Sequence, residues 1–327
     1  MKYKIINPNK KEIPWQEKPK GNNTPVWRYA ANPIFKRNPQ HDILRIFNSS
    51  VTEFGGKFVG VFRGETAVSV PGLYFGQSDD GIHWNLDKER IVLDGVNGEK
   101  SNYAYDPRLV RIGDIYYIVW CTDFCGGPSL AIAHTKDFKN YERLANGFLP
   151  CNRNGVLFPE CIEGNYYMLS RPSDTGHTAF GDIYISESKD LVYWGNHKCL
   201  MKNFPNGESW SSLKIGGGPT PIKTSEGWLM IYHGVIGNCN GYVYSMGAAL
   251  LDINEPSKVI ARSRKFLLTP EEWYEERGFV PNVIFPCGAL TASDGRIAIY
   301  YGAADTYLAL AFTTIDEIID FIYENNN

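Results

Sequence analysis

The sequence predicts an all-β fold, a five-bladed β-propeller with short peripheral helices, and three observations carry that prediction. A two-strand unit recurs five times at intervals of about 50 to 70 residues, the length of chain a propeller blade needs. Aromatic residues make up 14% of the chain and glycine numbers 32, a composition suited to strands and turns. Runs with helical periodicity are few and short.

The 327 residues are enough to bury a sizeable core and are read as one propeller domain, 1–327. A polar arm, about residues 1–30, opens the chain and is a candidate assembly element. Its string MKYKIINPNKKEIPWQEKPKG has charges with no apolar stretch behind them, so it does not read as a secretory signal. No later segment reaches the length of a membrane-spanning helix, and a cytoplasmic location is expected.

The five units then follow in order. They are GGKFVGVFR with GLYFGQSDDGIHWN, GDIYYIVWC with SLAIAHTKDFKNYE, GNYYMLSRP with DIYISESKDLVYWG, EGWLMIYHG with YVYSMGAALLD, and DGRIAIYYG with YLALAFTTIDEI. In each, a turn leads into an apolar strand and then a second strand, and such a small sheet buries both faces only against neighbouring blades. Three of the units continue into SDDGIHW, TKDFKNY or SKDLVYW, a polar turn containing Asp and followed by an aromatic. These read as hairpin turns, with Trp84, Tyr141 and Trp194 packing between blades in a structural role.

Two short helices are predicted near the C-terminus. PEEWYEERG begins at Pro270 and stops at Gly278. TTIDEIIDFIYE, about 314–324, pairs Thr314 with Glu317 as a capping box and spaces Ile315, Ile318, Ile319 and Ile322 along one face. It should pack on the outside or bottom of the propeller.

A net charge of −3 and a pI near 6.1, without long blocks of either sign, argue against nucleic acid or a membrane surface as partner. A small molecule is the better expectation. Seven cysteines lie scattered with no CxxC pair, which reads as buried free thiols in a reducing compartment. Six histidines show no metal-ligand spacing, so no metal site is expected.

Propeller sites form where inner strands meet the central channel. The strand ends supply Arg63, Asp123, Arg171, His233 and Asp305, and charges gathered around one axis suit binding or protonating something. Asp106 lies in SNYAYDPRLV, where Pro107 restricts its backbone and Arg108 is placed to bond a carboxylate. Arg153, Arg171, Lys214 and His233, read as coming from successive blades, suggest an anion site. Guanidinium forks match phosphate oxygens, Lys adds a point charge, and Gly216, Gly217 and Gly218 allow close backbone approach. There is no P-loop.

At these residues the sequence resembles glycoside hydrolase family 130, the β-mannoside phosphorylases, and specifically the branch acting on β-1,4-mannosides. The strings that carry the resemblance run from IPWQEKP through VWRYAANPI, FNSSV, GVFR, YAYDPR, NRNGVLFP, SRPSDTGHT, FGDI, KIGGGP, IYHGV, CNGYVYS and VPNVIFPC to YYGAADT. They cover nearly the whole chain. The resemblance implies a five-bladed propeller and an inverting phosphorolysis that yields α-mannose 1-phosphate and a shortened acceptor sugar. It implies Asp106 as general acid, and Arg153, Arg171, Lys214, His233 and Tyr244 as phosphate ligands. Asn48, Ser49, Arg63, Tyr105, Asn154, Asp174 and Asp305 would bind the sugar. It implies no cofactor beyond inorganic phosphate as co-substrate. A homo-oligomer is expected, with the polar arm and the C-terminal helix as candidate assembly elements. The stretch after GVFR, GETAVSVPGLYFG, departs from the family pattern, and acceptor contacts are not carried over there.

The chemistry fits the residues. An inverting hydrolase needs two carboxyl groups, one to protonate the leaving oxygen and one to deprotonate water. Phosphate is already an anionic nucleophile, so a cationic cradle replaces the base and orients the attack. The resemblance also allows the proton to pass through the sugar 3-hydroxyl. A hydrolase of the same family, which would lack the basic set, and a non-catalytic carbohydrate-binding propeller are the competing readings. The WMNDPNG-type opening of the three-carboxylate five-bladed enzymes is missing. For the acceptor, mannooligosaccharides are expected ahead of mannosyl-N-acetylglucosamine or mannosyl-glucose.

Overall fold

A computed structural model describes residues 1–95, 103–124, 126–173, 181–204, 209–239 and 241–326. A two-residue strand, β1 (Trp27–Arg28), precedes the blades. Blade one is β2 (Arg45–Phe54), β3 (Lys57–Glu65), β4 (Pro71–Ser78) and β5 (Asn85–Arg90). Blade two is β6 (Ala104–Ile112), β7 (Ile115–Phe124), β8 (Gly127–Thr135) and β9 (Glu142–Arg143). Blade three is β10 (Asn152–Leu157), β11 (Tyr166–Pro172), β12 (Ile183–Ser188) and β13 (Trp194–Met201). Blade four is β14 (Lys214–Gly217), β15 (Ile222–Thr224), β16 (Gly227–Asn238), β17 (Gly241–Leu251) and β18 (Val259–Arg262). Helix α1 (Trp273–Glu276) leads into blade five, β19 (Ile284–Thr291), β20 (Arg296–Ala303) and β21 (Tyr307–Thr314), and α2 (Ile315–Glu324) ends the chain.

Each strand alternates between two neighbours. On β3, Phe58 and Phe62 pack in a cluster with Ala298 and Leu310 of blade five, while Val59 and Val61 pack with Ile118 and Ala131 of blade two. The same period of two operates around the ring, so the apolar clusters lie between blades and each blade is buried on both faces. The five-bladed architecture is as predicted, but the repeated pair is not the innermost pair. The first strand of each repeat is the second strand of its blade (β3, β7, β11, β16, β20). The channel is walled by the strands ahead of them, β2, β6, β10, β14 and β19.

The ring closes through the N-terminus. β1 pairs antiparallel with β21, Trp27 opposite Phe312 and Arg28 opposite Ala311, so the chain's start completes its last blade. The preceding arm is also folded onto the chain: Ile6 N donates to the Lys223 carbonyl at 2.8 Å, Asn9 N to the Thr291 carbonyl at 2.9 Å, and Tyr3 and Ile13 are buried.

The Asp turns recur atom for atom. Asp80 Oδ1 accepts from the Ile82 and His83 amides, Asp137 Oδ1 from Lys139 and Asn140, and Asp190 Oδ1 from Val192 and Tyr193. Trp84 and Trp194 return their indole N–H to the carbonyls of Gly81 and Leu191, and Tyr141 its hydroxyl to Phe138. Trp84 meets Phe62 and Tyr300, in blades one and five, which is the interblade role expected.

The helices need adjustment. The first is one turn, Trp273–Glu276, capped by a box between Glu272 and Glu275 rather than starting at Pro270. Thr314 caps α2 by accepting from Glu317 N, while the Glu317 carboxylate binds Lys18 at 2.6 Å. The four isoleucines are buried as predicted. The thiols differ too. Cys121 and Cys287 are buried, but Cys161, Cys199 and Cys239 are exposed because they sit in hairpin turns or on the outer strand β13; Cys125 lies outside the described residues. No helix is long and apolar enough to cross a membrane among the described residues.

Candidate active site

Three inner strands carry the same device at the same height. The pairing register slips between Phe47 and Ser50 in β2, between Tyr105 and Arg108 in β6, and between Arg153 and Val156 in β10. Inside each bulge one residue takes a left-handed conformation: Asn48 (φ 44), Asp106 (φ 51) and Asn154 (φ 55). Asn and Asp are the non-glycine residues that best tolerate this region, and a bulge re-aims its side chain. The polar group of each is turned to one mouth of the channel. Asp106 therefore does not keep the extended backbone expected before a proline.

Arg108 holds that geometry. It was expected to bond a carboxylate, but its buried guanidinium donates to carbonyls: NH1 to Asp106 O (3.1 Å) and Pro107 O (3.2 Å), Nε to Gly218 O (2.6 Å) and NH2 to Gly217 O (3.2 Å). One side chain thus pins the bulge of blade two to the inner strand of blade four.

On one side of Asp106, Asn48 Nδ2 donates to Oδ1 at 2.9 Å and Arg63 NH1 donates to the same oxygen at 2.7 Å. Oδ2 takes no hydrogen bond among the described residues. Arg63 stacks over Phe47 and lies 5.3 Å from the Tyr105 ring, and its carboxylate neighbours Asp106 and Glu65 push its pKa up despite burial. Asp305 (φ 46) sits on this side, half-buried. Burial raises its carboxyl to about 7; Arg63 and Arg45 oppose the rise, and Asp106 and Glu65 add to it.

On the other side lies the basic set, drawn from two blades rather than four. Arg153 (β10) and Arg171 (β11) belong to blade three, Lys214 (β14) and His233 (β16) to blade four. Arg171 NH1 lies 3.1 Å from His233 Nε2. A guanidinium only donates, so Nε2 is the acceptor and the imidazole is neutral with its proton on Nδ1. Burial first, then Arg171, Arg108 and Lys214, hold its pKa well below the usual value. Arg171 Nε and His233 Nδ1 are both buried N–H donors with no acceptor among the described residues. Lys214 is buried with Nζ 4.7 Å from the Tyr242 ring and 5.4 Å from the Tyr244 ring. Tyr244 in turn is 5.9 Å from the His233 ring, and burial pushes its hydroxyl up to about 12. Arg153 bonds Ser173 Oγ at 2.5 Å and the Tyr105 hydroxyl at 3.4 Å.

The glycines of KIGGGP act through space rather than backbone freedom. A Cβ on Gly216 would come 2.5 Å from His233 Cε1 and 3.0 Å from Arg171 NH1, so its absence makes room for the pair. Gly302 plays the same part for the Asn48 amide.

Of the sugar-binding candidates, Asn48, Arg63, Tyr105 and Asp305 converge on Asp106 or the basic set, Asn154 follows Arg153 on β10, and the amide oxygens of Asn48 and Asn154 are buried without a partner among the described residues. Ser49 is fully buried and donates to the Phe47 carbonyl at 2.9 Å. Asp123 is exposed at the rim, and Asp174 lies outside the described residues. Arg45 was not singled out in the sequence, and Glu65 was marked only as part of the stretch after GVFR that departs from the family pattern. The signal is FRGE: Arg63 and Glu65 are two apart and share a strand face, with Arg45 directly opposite Glu65 in register. A cavity of about 630 Å³ opens at the opposite mouth, lined by Glu53, Arg111, Glu160 and Lys223 together with the N-terminal arm, away from all these groups.

With that geometry in view, comparison with known proteins is decisive. A family model described as beta-1,4-mannooligosaccharide phosphorylase, glycoside hydrolase family 130, matches residues 7–324. The chain belongs to this family. It is 47% identical over 342 residues to a beta-1,4-mannooligosaccharide phosphorylase of Ruminococcus albus, covering 100% of both chains. It is 35% identical to a 1,2-beta-oligomannan phosphorylase of a Thermoanaerobacter species over 89% of this chain and 98% of the relative. The solved beta-1,2-mannobiose phosphorylase of Listeria innocua, in complex with beta-1,2-mannobiose, superposes with a TM-score of 0.80 at 29% identity, covering 91% of this chain and 99% of that one. A family 130 membership makes the chain an enzyme of the mannoside phosphorylase group, on the five-bladed ring described above.

Proposed function

We propose that the protein cleaves β-1,4-linked mannooligosaccharides with inorganic phosphate, inverting the anomeric centre to release α-D-mannose 1-phosphate and a shortened acceptor. One observation carries the reading: Asp106 keeps an Oδ2 that takes no hydrogen bond among the described residues, beside a basic pocket with two buried N–H donors unmet among them. Buried donors left without acceptors are costly, and an anion with several oxygens is the ligand that meets them. The full-length likeness to a phosphorylase with the same linkage in its name supports the substrate.

In this mechanism Arg153, Arg171, Lys214, His233 and Tyr244 hold phosphate below the anomeric carbon. Asn48, Arg63, Tyr105, Asn154 and Asp305 bind the mannosyl unit, with Ser49 shaping the wall through its bond to Phe47. A phosphate oxygen attacks the anomeric carbon as the bond to the glycosidic oxygen breaks. The proton on Asp106 Oδ2 passes to that oxygen, directly or through the sugar 3-hydroxyl. The two donors on Oδ1 fix it as the acceptor oxygen and so put the proton on Oδ2. Neutral His233 binds by donating Nδ1–H, and Arg171 orients it. No cofactor enters; phosphate is the co-substrate. Exposed thiols at Cys161, Cys199 and Cys239 support a reducing, cytoplasmic location.

The test is incubation with β-1,4-mannobiose with and without phosphate. Mannose 1-phosphate forms only with phosphate present; equal cleavage in its absence makes the protein a hydrolase. Reverse synthesis from mannose 1-phosphate with mannose, glucose and N-acetylglucosamine as acceptors ranks the acceptor.

A further inference from the structure

The mechanism leaves Glu65 without a part, and Arg63 with a difficulty. A guanidinium bonded to a carboxyl favours its ionised form, and an ionised acid has no proton to give. Glu65 bears on both points. It is 4% exposed, at the end of β3 and on the face shared with Arg63. Its Oε1 accepts from Arg63 Nε (3.1 Å) and NH2 (2.5 Å), and its Oε2 from Arg45 NH2 (2.7 Å). Both oxygens take guanidinium donors, so it is bound as the carboxylate. Arg63 therefore gives Nε and NH2 to Glu65 and NH1 to Asp106. The result is a buried alternating chain, Arg45, Glu65, Arg63, Asp106, in which Arg63 stands between two acids.

We propose that Glu65 is a positioning residue of the reaction: it fixes the Arg63 fork with NH1 on Asp106 Oδ1 and offsets the Arg63 charge beside the acid. This rests on Asp106 being the acid.

The other groups facing Asp106 come from every neighbouring element. Arg108 is on its own strand, Cys121 on β7, Cys287 on β19, and Asp305 follows β20. Arg171 on β11 and Tyr244 on β17 face it across the pocket, and Arg153 on β10 lies beyond them beside Arg171 and Cys121. The arginines add positive charge around Asp106. Tyr244 and Cys121 are neutral at working pH, their groups pushed up to about 12. Asp305 is protonated for part of the range below about 7. Glu65 is thus the standing anion of the cluster.

The experiment compares full-length wild type, Glu65→Gln and Glu65→Asp in phosphorolysis of β-1,4-mannobiose between pH 5 and 9 at saturating phosphate, with KM for phosphate and Tm recorded for each. Glu65→Gln is expected to lower kcat at pH 7.5 by about tenfold and to move the alkaline limb of kcat about one pH unit toward acid. KM for phosphate stays within about twofold, because the basic pocket is untouched. Glu65→Asp keeps the charge and loses reach, so its kcat falls while its limb stays at the wild-type pH. A Glu65→Gln profile lowered equally at all pH values, or unchanged, overturns the proposal. If Glu65→Gln does not fold, the double variant Arg45→Met/Glu65→Gln removes the buried pair together, and the same acid shift is expected of it. A wild type that forms no sugar phosphate defeats the functional reading itself; an unmoved limb in an active enzyme defeats the role of Glu65 alone.

Discussion

Arg171 and His233 form one unit in which the arginine is the donor and the histidine the acceptor, NH1 to Nε2 at 3.1 Å, both fully enclosed between blades three and four. Because the guanidinium has no proton acceptor of its own to offer, the pair locks the imidazole neutral and leaves Nδ1–H for a ligand. Replacing Arg171 with Ala removes one charged donor and frees the tautomer. KM for phosphate is expected to rise about 10- to 100-fold with a smaller fall in kcat, read from initial rates over a phosphate series. An unchanged phosphate dependence would remove Arg171 from the cradle.

Gly216→Ala tests the same unit without touching a polar group. The new methyl lies 2.5 Å from His233 Cε1 and 2.7 Å from Nε2, closer than real contacts allow, and His233 is itself backed by Phe285 at 4.3 Å between ring centroids. The ring has nowhere to retreat, so the pair must separate. The expectation is weaker phosphate affinity together with a loss of about 1–3 kcal/mol in unfolding free energy, measured by denaturant titration.

Asp106→Asn keeps the shape of the acid. Its amide oxygen still accepts from Asn48 and Arg63 while the Oδ2 position becomes an amide that cannot release a proton at working pH. Turnover is expected to fall about 100- to 10,000-fold. Phosphate should raise the Tm of the variant and of the wild type alike, since the basic pocket lies on the other side.

What the sequence disclosed and what it withheld follow from the same physics. Strands such as β3 and β20 announce themselves because alternate residues face different neighbours, and Phe58, Val59, Val61 and Phe62 are apolar on both sides. The inner strands carry no such signal. Their bulges at Asn48, Asp106 and Asn154 break the alternation, and β14 is only four residues, KIGG. The gathering of Asp106 with the basic set was legible through family resemblance, not through spacing. The part of Glu65 stayed hidden because its two arginine partners, Arg63 and Arg45, come together with it only through strand register and burial. Ring closure through the N-terminal arm was not legible because β1 is two residues long and its partner β21 lies at the far end of the chain.

That closure gives a stability prediction. Trp27 is 2% exposed, stacks edge-on against Trp15 at 5.3 Å and donates its indole N–H to the Gln16 carbonyl at 2.9 Å. Trp27→Ala empties a site between the arm and blade five and loosens the strand that completes the ring. A cost of about 3–5 kcal/mol is expected in denaturant unfolding. A loss below about 1 kcal/mol would mean that β1 contributes little to closure.

Asp305 supplies a pH dependence whose sign can be worked out. Its carboxyl is raised from 3.8 to about 7, by burial first and by the nearby Asp106 and Glu65 carboxylates, against the pull of Arg63 and Arg45. The folded state therefore binds its proton more tightly than the unfolded chain does. The stabilisation this brings is fully present below about pH 4 and is lost as pH rises through about 7. Asp305→Asn removes the titration while keeping the side-chain shape. Relative to wild type, the variant should gain in Tm steadily from pH 4 to pH 8 in the absence of sugar. A constant difference across that range would show that Asp305 titrates alike in the folded and unfolded chain, and that the Arg63 and Arg45 charges fully offset its burial.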